Sequence, residues 1–565
     1  MNSILKKIGK ISAYLTGGVL LLLLLIAATA AGLYYTADMG EPRIATDSLS
    51  TLAVTDHPGF RECDSCFFRK SESGLYEVWL EGKPYRRGVV LGKLMPDLLY
   101  FQEKVFVDRI REIVPSESYL KFLRFFVVLF NRNLGEYVPQ EYREEIYGVA
   151  RSGTHEYDFI GTPYERSLNY HGAHDIGHAM QDYMLVGCSS FGVWGREAED
   201  SSLLIGRNFD FYVGDAFAEH KLVSFYRPEE GYRFASVGWA GMIGVLSGMN
   251  ETGLTVTINA AKSTVPLSAA TPISILAREI LQYASTIDEA YAIALKSKTF
   301  VAESILVGSA KDGEAAIIEK APDKMALFRS GEERIVCTNH YQSEVFRTDP
   351  RNAENIAVSD SPYRFRRLQE LISQNVPLDA EKAAGILRDY RGLNGENIGL
   401  ANEKALNQFI AHHSVIFQPE RRLMWVSTAP WQLGKYVAYD LNRIFQGADF
   451  SREINDPSLC IAADSVLQQS DYRNLLQYRK MAQQVRESIR RNTPLDEQFL
   501  QEFILTNPAH YQVYELAGDY CSQQGKIRQA VAFWRQALQR EIPRLDERQA
   551  IELKLKNSIS YEKTK

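Results

Sequence analysis

Two neighbouring stretches decide the reading of this chain: Val186-Gly187-Cys188-Ser189-Ser190-Phe191 and Ile205-Gly206-Arg207-Asn208-Phe209-Asp210. The first places a cysteine directly after a glycine at the start of a strand. The second reads as its hairpin partner and ends in Arg-Asn-Phe-Asp. A thiol becomes a strong nucleophile when its pKa falls or when a base stands beside it. Breaking the Gly187–Cys188 bond would leave a free α-amino group on Cys188 itself. Such an amine titrates near about pH 8, so it can accept the thiol proton near neutral pH without a catalytic histidine. Gly187 is expected to permit the strained backbone that self-cleavage needs.

Working outward, short β-type runs recur at Leu222-Val223-Ser224-Phe225-Tyr226, Phe234-Ala235-Ser236-Val237, Gly253-Leu254-Thr255-Val256-Thr257-Ile258, Ser304-Ile305-Leu306-Val307 and Ala315-Ala316-Ile317-Ile318-Glu319. Turn residues separate them, and two helical segments interrupt them from Pro272 to Tyr283 and from Ile287 to Lys296. Strands resume at His413 to Gln418 and Arg422 to Ser427. Strand groups alternating with helix pairs predict an α+β fold of packed sheet layers with helices outside. Upstream, residues 38 to 60 read as a linker and residues 96 to 150 carry apolar residues at helical spacing. After about Ser451 the β signal ends and residues 464 to 555 read as helices. Tyr514, Ala517, Gly518, Gly525, Ala530, Trp534 and Ala537 fit one tetratricopeptide-type (TPR-like) pair of about 34 residues. A single such pair needs a stacking partner, either residues 464 to 492 or the catalytic body. The expected divisions are 1–37, 38–187, 188–450 and 451–565.

At the N-terminus Lys6, Lys7 and Lys10 precede an uncharged run from Ile11 to Ala37, long enough to cross a bilayer. The flanking charge predicts a membrane anchor with the rest of the chain outside the cytoplasm, periplasmic or at the cell surface. A cleaved signal peptide is the competing reading, because Ala28-Thr29-Ala30 resembles a cleavage site. The length of 565 residues predicts two or three domains, and a net charge of −6 argues against a nucleic-acid partner. Cys63 and Cys66 suggest a local disulfide in an exported protein, against a redox pair or half a zinc site. His171, His174 and His178, with Asp175, stand at helical spacing, yet Gly172 and Gly177 weaken a helix there and no zinc-protease glutamate accompanies them. They are read as part of the segment covering the uncut site, and neither a metal nor a cofactor is assigned.

With its neighbours, the Gly-Cys-Ser-Ser-Phe and Gly-Arg-Asn-Phe-Asp pair resembles the acyl-coenzyme A:6-aminopenicillanic acid acyltransferase family (peptidase family C45). These are cysteine N-terminal-nucleophile (Ntn) hydrolases, related to bile-salt hydrolases and penicillin V acylase. Further motifs agree in order. Gly82-Lys83-Pro84-Tyr85-Arg86-Arg87-Gly88 with Leu91-Gly92 is similar to the family's opening hairpin. Then come Gly248-Met249-Asn250-Glu251-Thr252-Gly253-Leu254 leading to Asn259, Cys337-Thr338-Asn339-His340-Tyr341 and Asp360-Ser361-Pro362-Tyr363-Arg364-Phe365. His413-Ser414-Val415 with Leu423-Met424-Trp425-Val426-Ser427 is similar to the closing hairpin. The resemblance spans roughly residues 75 to 432.

It implies a four-layered αββα core and a role for each matched residue. Cys188 would be the nucleophile and its new amine the base, with Asp210 orienting that amine. Arg207 would sit beside the thiolate and lower its pKa. The side-chain amide of Asn339 and the backbone N–H of Asn259 would stabilise the oxyanion, and Arg364 would support the site. Asn250 alone reads as turn chemistry. The reaction implied is cleavage of a linear amide, an N-acyl amine or small peptide, through an acyl-enzyme. An ester or lipid hydrolase on the same scaffold, and a non-catalytic scaffold whose C-terminal helices recruit a protein partner, are the alternatives.

Overall fold

The structure, a computed structural model, describes residues 2–44, 48–172, 185–262 and 270–564. Two sheets dominate it. The larger has eleven strands in the order β1 (Thr55–His57), β2 (Phe60–Cys63), β3 (Cys66–Lys70), β4 (Tyr76–Gly82), β8 (Leu222–Pro228), β9 (Phe234–Gly238), β10 (Ser247–Asn250), β11 (Leu254–Ala260), β12 (Glu303–Ser309), β13 (Glu314–Lys320) and β14 (Met325–Phe328). The smaller runs β15 (Arg334–Cys337), β6 (Ser189–Val193), β7 (Leu204–Tyr212), β16 (Ala411–Gln418), β17 (Leu423–Ser427) and β18 (Tyr436–Asp440), with β5 (Leu185–Val186) also paired to β7.

Period-two alternation sorts their side chains into three cores. On β12, Ile305 and Val307 join a core that also holds Ile273, Leu276, Ile280 and Ile287. These come from helices α7 (Ile273–Tyr283) and α8 (Ile287–Lys296). Leu306, between them, faces the second sheet, where it joins Ile205, Val415, Phe417, Met424 and Val426. The opposite face of that sheet, through Leu204, Ile416 and Trp425, packs on Leu368, Ile372, Ala384 and Leu387. Those belong to α10 (Ser361–Asn375) and α11 (Ala380–Leu387), which follow α9 (Pro350–Val358). The layers are therefore helix, sheet, sheet, helix, as expected.

The segment before Cys188 is built into this body. Strand β4 lies between β3 and β8 and pairs with β8 in parallel, Trp79 opposite Phe225. It is followed by α2 (Pro84–Leu94), α3 (Pro96–Ile113), α4 (Glu117–Asn131), α5 (Gln140–Ala150) and α6 (Pro163–His171). The expected opening hairpin is therefore corrected: Gly82 ends a strand and Pro84 starts a helix, because proline presets the first helical turn. Helices α2 and α5 cross closely, since a Cβ on Gly88 would meet the Glu145 carbonyl oxygen.

Helix α1 (Asn2–Tyr35) contains an apolar stretch from Tyr14 to Tyr35 long enough to cross a membrane. At the other end stand α12 (Ser470–Arg491), α13 (Glu497–Thr506), α14 (Tyr511–Gln523), α15 (Ile527–Leu538) and α16 (Leu545–Thr564). The α14–α15 pair is the one expected from sequence, with Gly518 lying directly under the Trp534 indole. Its stacking partners are both of those expected: residues of α12, and Phe409, Trp431 and Leu433 of the central body.

Cys63 and Cys66 face each other across the β2–β3 turn, but both are free thiols, so the expected disulfide is not formed. Of the histidine cluster, His174 and His178, with Asp175, lie outside the described residues. His171 is buried, with Nδ1 bonded to the Ser167 carbonyl at 2.7 Å and Nε2 accepting from Ile243 N–H at 3.1 Å. Both ring nitrogens are thus engaged in the fold.

Candidate active site

Strand β7 organises the site because it backs the chain on both sides of the Gly187–Cys188 bond. Val186 pairs with Phe211 before the bond, and Ser189 pairs with Asn208 after it. Gly187 N–H donates to the Asp210 carbonyl at 3.1 Å. Cys188, Arg207 and Asp210 are each fully buried. Alternation along β7 sends Asn208 toward the helical layer, where Nδ2 donates to the Leu387 and Leu406 carbonyls at 2.8 and 3.0 Å. Arg207 points the other way. Its Nη1 donates to the Leu246 carbonyl at 3.0 Å and to Ser247 Oγ, and its Nη2 to the Ile258 carbonyl. The same Nη2 lies 3.7 Å from Cys188 Sγ, and the guanidinium stacks over the Phe209 ring.

Arg364, from α10, reaches the same place. Its Nη1 donates to the Cys188 carbonyl at 2.7 Å and to Ser189 Oγ at 3.0 Å, and its Nη2 donates to Asn339 Oδ1 at 2.7 Å. Asn339 Nδ2 in turn donates to the Ala260 carbonyl at 2.9 Å. Asn259, on β11, accepts from Ser190 Oγ at 2.8 Å and donates to the Cys337 carbonyl at 3.1 Å. Arg207 and Arg364 thus reach Cys188 itself, Asn339 is tied to it through Arg364, and the Asn259 side chain lies one step away on Ser190 and the Cys337 carbonyl. Asn250 has the turn role expected and more: Nδ2 also binds the Leu281 and Ala284 carbonyls at the end of α7.

Electrostatically the site is dominated by burial. Burial pushes the Cys188 thiol up to about 11, with Arg207 opposing the shift. The expected lowering by Arg207 is real in direction but outweighed while the site is closed. Burial likewise raises Asp210 to about 8 against the pull of Arg364 and Arg207. Among the described residues, neither carboxyl oxygen of Asp210 has a hydrogen-bond partner.

Gly187 does not occupy the left-handed region, which corrects the expectation of strain there. A Cβ at that position would lie 2.6 Å from Gln408 Nε2, so a larger residue would require the end of the Gln408 side chain to shift. Gln408 is buried, and its Nε2 has no partner among the described residues. Sequence reading missed it, because a glutamine just before β16 carries no local signal. Glu303 was missed for the same reason. It is fully buried on β12, near enough to Cys188 and Arg207 to act on both charges. Beyond Phe209 and Phe211, which stack on one another, lies a cavity of about 140 Å³. Its walls include Phe106, Phe211, Phe217, Trp239 and Met242.

Comparison with known proteins bears on this geometry. Residues 196–429 match the family model of acyl-coenzyme A:6-aminopenicillanic acid acyl-transferase. The resemblance is shown for that segment. It contains Arg207, Asp210, Asn259, Asn339 and Arg364 and begins after Cys188. An uncharacterized protein of Archaeoglobus fulgidus is 26% identical over 464 residues, covering 74% of this chain and 75% of that protein. Protein dcd1B of Dictyostelium discoideum is 23% identical over 272 residues, 44% of this chain; the alignment spans about half of that relative, 51%. Among solved structures, a Caenorhabditis elegans N-acylethanolamine-hydrolyzing acid amidase ortholog aligns at 16% identity and TM-score 0.31. That alignment covers 41% of this chain and 93% of the other. Penicillin V acylase from Agrobacterium tumefaciens aligns at 15% and 0.33, covering 45% and 87%. At these scores no functional argument rests on the two structures.

Proposed function

We propose that this chain is a self-cleaving amide hydrolase whose nucleophile is the thiol of Cys188 and whose base is the α-amine released when the Gly187–Cys188 bond breaks. The observation that carries this reading is Asp210: a buried carboxyl group with neither oxygen partnered among the described residues, on the strand residue whose own carbonyl holds Gly187 N–H. Buried carboxyls are normally paired. A cation created at Cys188 supplies the missing partner.

In the uncut chain the nitrogen of Cys188 is an amide and cannot act as a base. The thiol attacks the Gly187 carbonyl, the peptide C–N bond breaks as the acyl group passes to sulfur, and water hydrolyses the thioester. The products are a Gly187 carboxylate and a Cys188 ammonium. In turnover the amine takes the thiol proton, sulfur attacks the substrate carbonyl, and the second Nδ2 hydrogen of Asn339 is available to the oxyanion. Arg364 fixes that amide by holding its oxygen. The amine product leaves, and water releases the acid. Water is the acceptor we favour outside the cytoplasm, with α1 as the anchor.

Intact mass of the purified protein tests the reading. Wild type is expected as two polypeptides and Cys188→Ala as one, without activity. A single wild-type chain with full amidase activity would refute it.

A further inference from the structure

Away from α1, exposed large apolar side chains in the described residues are mostly scattered, but four lie on α4. Tyr119, Phe122 and Phe126 are 50%, 54% and 50% exposed, and Val127 stands beside them. The first three fall at i, i+3 and i+7, along one helical stripe. The opposite side of α4 is tied to the body. Leu120 and Val128 are buried, Arg124 pairs with Glu165 at 3.2 Å, and Asn131 Nδ2 donates to Asn169 at 2.7 Å.

The stripe is continuous with α1. Tyr34 stacks on Phe125 with ring centroids 5.2 Å apart, Phe125 meets Phe126 at 5.7 Å, Phe126 meets Phe122 at 5.1 Å, and Phe122 meets Tyr119 at 6.0 Å. The chain leaving α1 is fixed to the other end of α4, where Asp38 N–H donates to the Arg132 carbonyl at 3.2 Å. The apolar stretch of α1 has 22 residues, about 33 Å of helix, which matches a hydrocarbon core of about 30 Å. Tyr34 and Tyr35 then fall at the bilayer–water boundary, where aromatic rings are favoured. Helix α4 is held at that same level.

We infer that α4 is a membrane-surface helix: its aromatic stripe sinks into the headgroup–acyl boundary of the bilayer that α1 spans, so the body is held by a second contact. This rests on reading α1 as a membrane span, independently of the chemistry at Cys188. The stripe is oriented by α1, and α6, which carries its polar contacts, lines the aromatic cavity through Ser167, Tyr170 and His171.

The test uses the full chain in phosphatidylcholine vesicles, with one added tryptophan per variant read against wild type: Phe122→Trp, Phe126→Trp, Leu505→Trp on the exposed side of α13, and Leu23→Trp inside α1. The α4 tryptophans are expected to emit at shorter wavelength than the one at 505. They should resist iodide and be quenched more by lipid brominated near the headgroup than near the chain end, the reverse order from position 23. Two α4 positions guard against one variant misfolding. Quenching at 23 with iodide-sensitive emission at 122 and 126 overturns the inference and leaves the anchor standing. Protection from both iodide and bromine would mean that protein covers the stripe, a second copy first of all, and also overturns it. No bromine quenching at 23 removes the anchor and the inference with it.

Discussion

Asp210 carries a protein-wide consequence from a single carboxyl group. Burial raises it from 3.8 to about 8 in the uncut chain, so between those values the folded chain holds a proton that the unfolded chain has lost. Its contribution to stability is full below the lower value and is lost as pH climbs toward the upper one. The melting temperature of Cys188→Ala, which stays uncut, is expected to fall across that window more steeply than that of the Cys188→Ala/Asp210→Asn double variant. Glu77 and Glu403, also raised by burial, act alike in both variants and cancel. Parallel curves would mean that Asp210 already has a partner. Gln408 gives a kinetic prediction. Its Nε2, without a partner among the described residues, lies close to Gly187, and we expect it to donate when the Gly187 carbonyl turns tetrahedral. Gln408→Leu should slow self-cleavage by on the order of 100-fold, followed as fragment appearance after synthesis, while spent thiol alkylation shows a folded site. Cys188, Arg207 and Asp210 were legible in the sequence because one hairpin puts them in two short motifs. Gln408 and Glu303 were not, because only tertiary packing brings them there.

The loop entering β16 couples the site to the C-terminal helices. Phe409, directly after Gln408, has φ 56°, a left-handed conformation that costs a non-glycine residue energy and persists only when its surroundings hold it. Its ring packs on Tyr390 and Trp431, and Arg479 of α12 donates to its carbonyl at 2.6 Å while stacking over Trp431. No candidate catalytic residue lies after 451, which by itself would make this region dispensable to the catalytic set. The shared core around Phe409 argues otherwise. Arg479→Ala, or a chain ended before α12, should remain able to fold its sheets yet cleave itself more slowly than wild type. Equal cleavage rates by gel densitometry would show that Phe409 holds its conformation unaided. The helices and most strands of this region and of the sheets were readable from period and turn residues. The α2 start at Pro84 was misread because a motif borrowed from a resemblance was given the shape of a hairpin, although proline at a first helical turn pointed to the helix.

At the scale of the molecule, a cut at Gly187 would not free what precedes it. Strand β4 stays hydrogen-bonded on both sides within the larger sheet. Across the cut, Glu145 of α5 pairs with Arg278 of α7 at 3.4 Å while also holding Arg87 at 2.5 Å, all three buried. Removing one member of such a network strands the other charges, at about 3–5 kcal/mol. Glu145→Gln should therefore lower the unfolding free energy by that order, read by denaturant melts, and loosen the fragments. In wild type the two fragments should elute together from a sizing column and separate only in denaturant. The layered architecture was expected from the alternation of strand groups and helix pairs; the place of residues 55–82 in the main sheet was not, because a parallel pairing across so long a chain separation leaves no local pattern.

N-terminal sequencing of the larger fragment reads the proposed bond and the amine it releases in one measurement. The first residue is expected to be Cys188, with the smaller fragment ending at Gly187, and no cleavage is expected in Cys188→Ala. A larger fragment beginning at any other residue, or an undivided wild-type chain that turns over amide substrate, would contradict it.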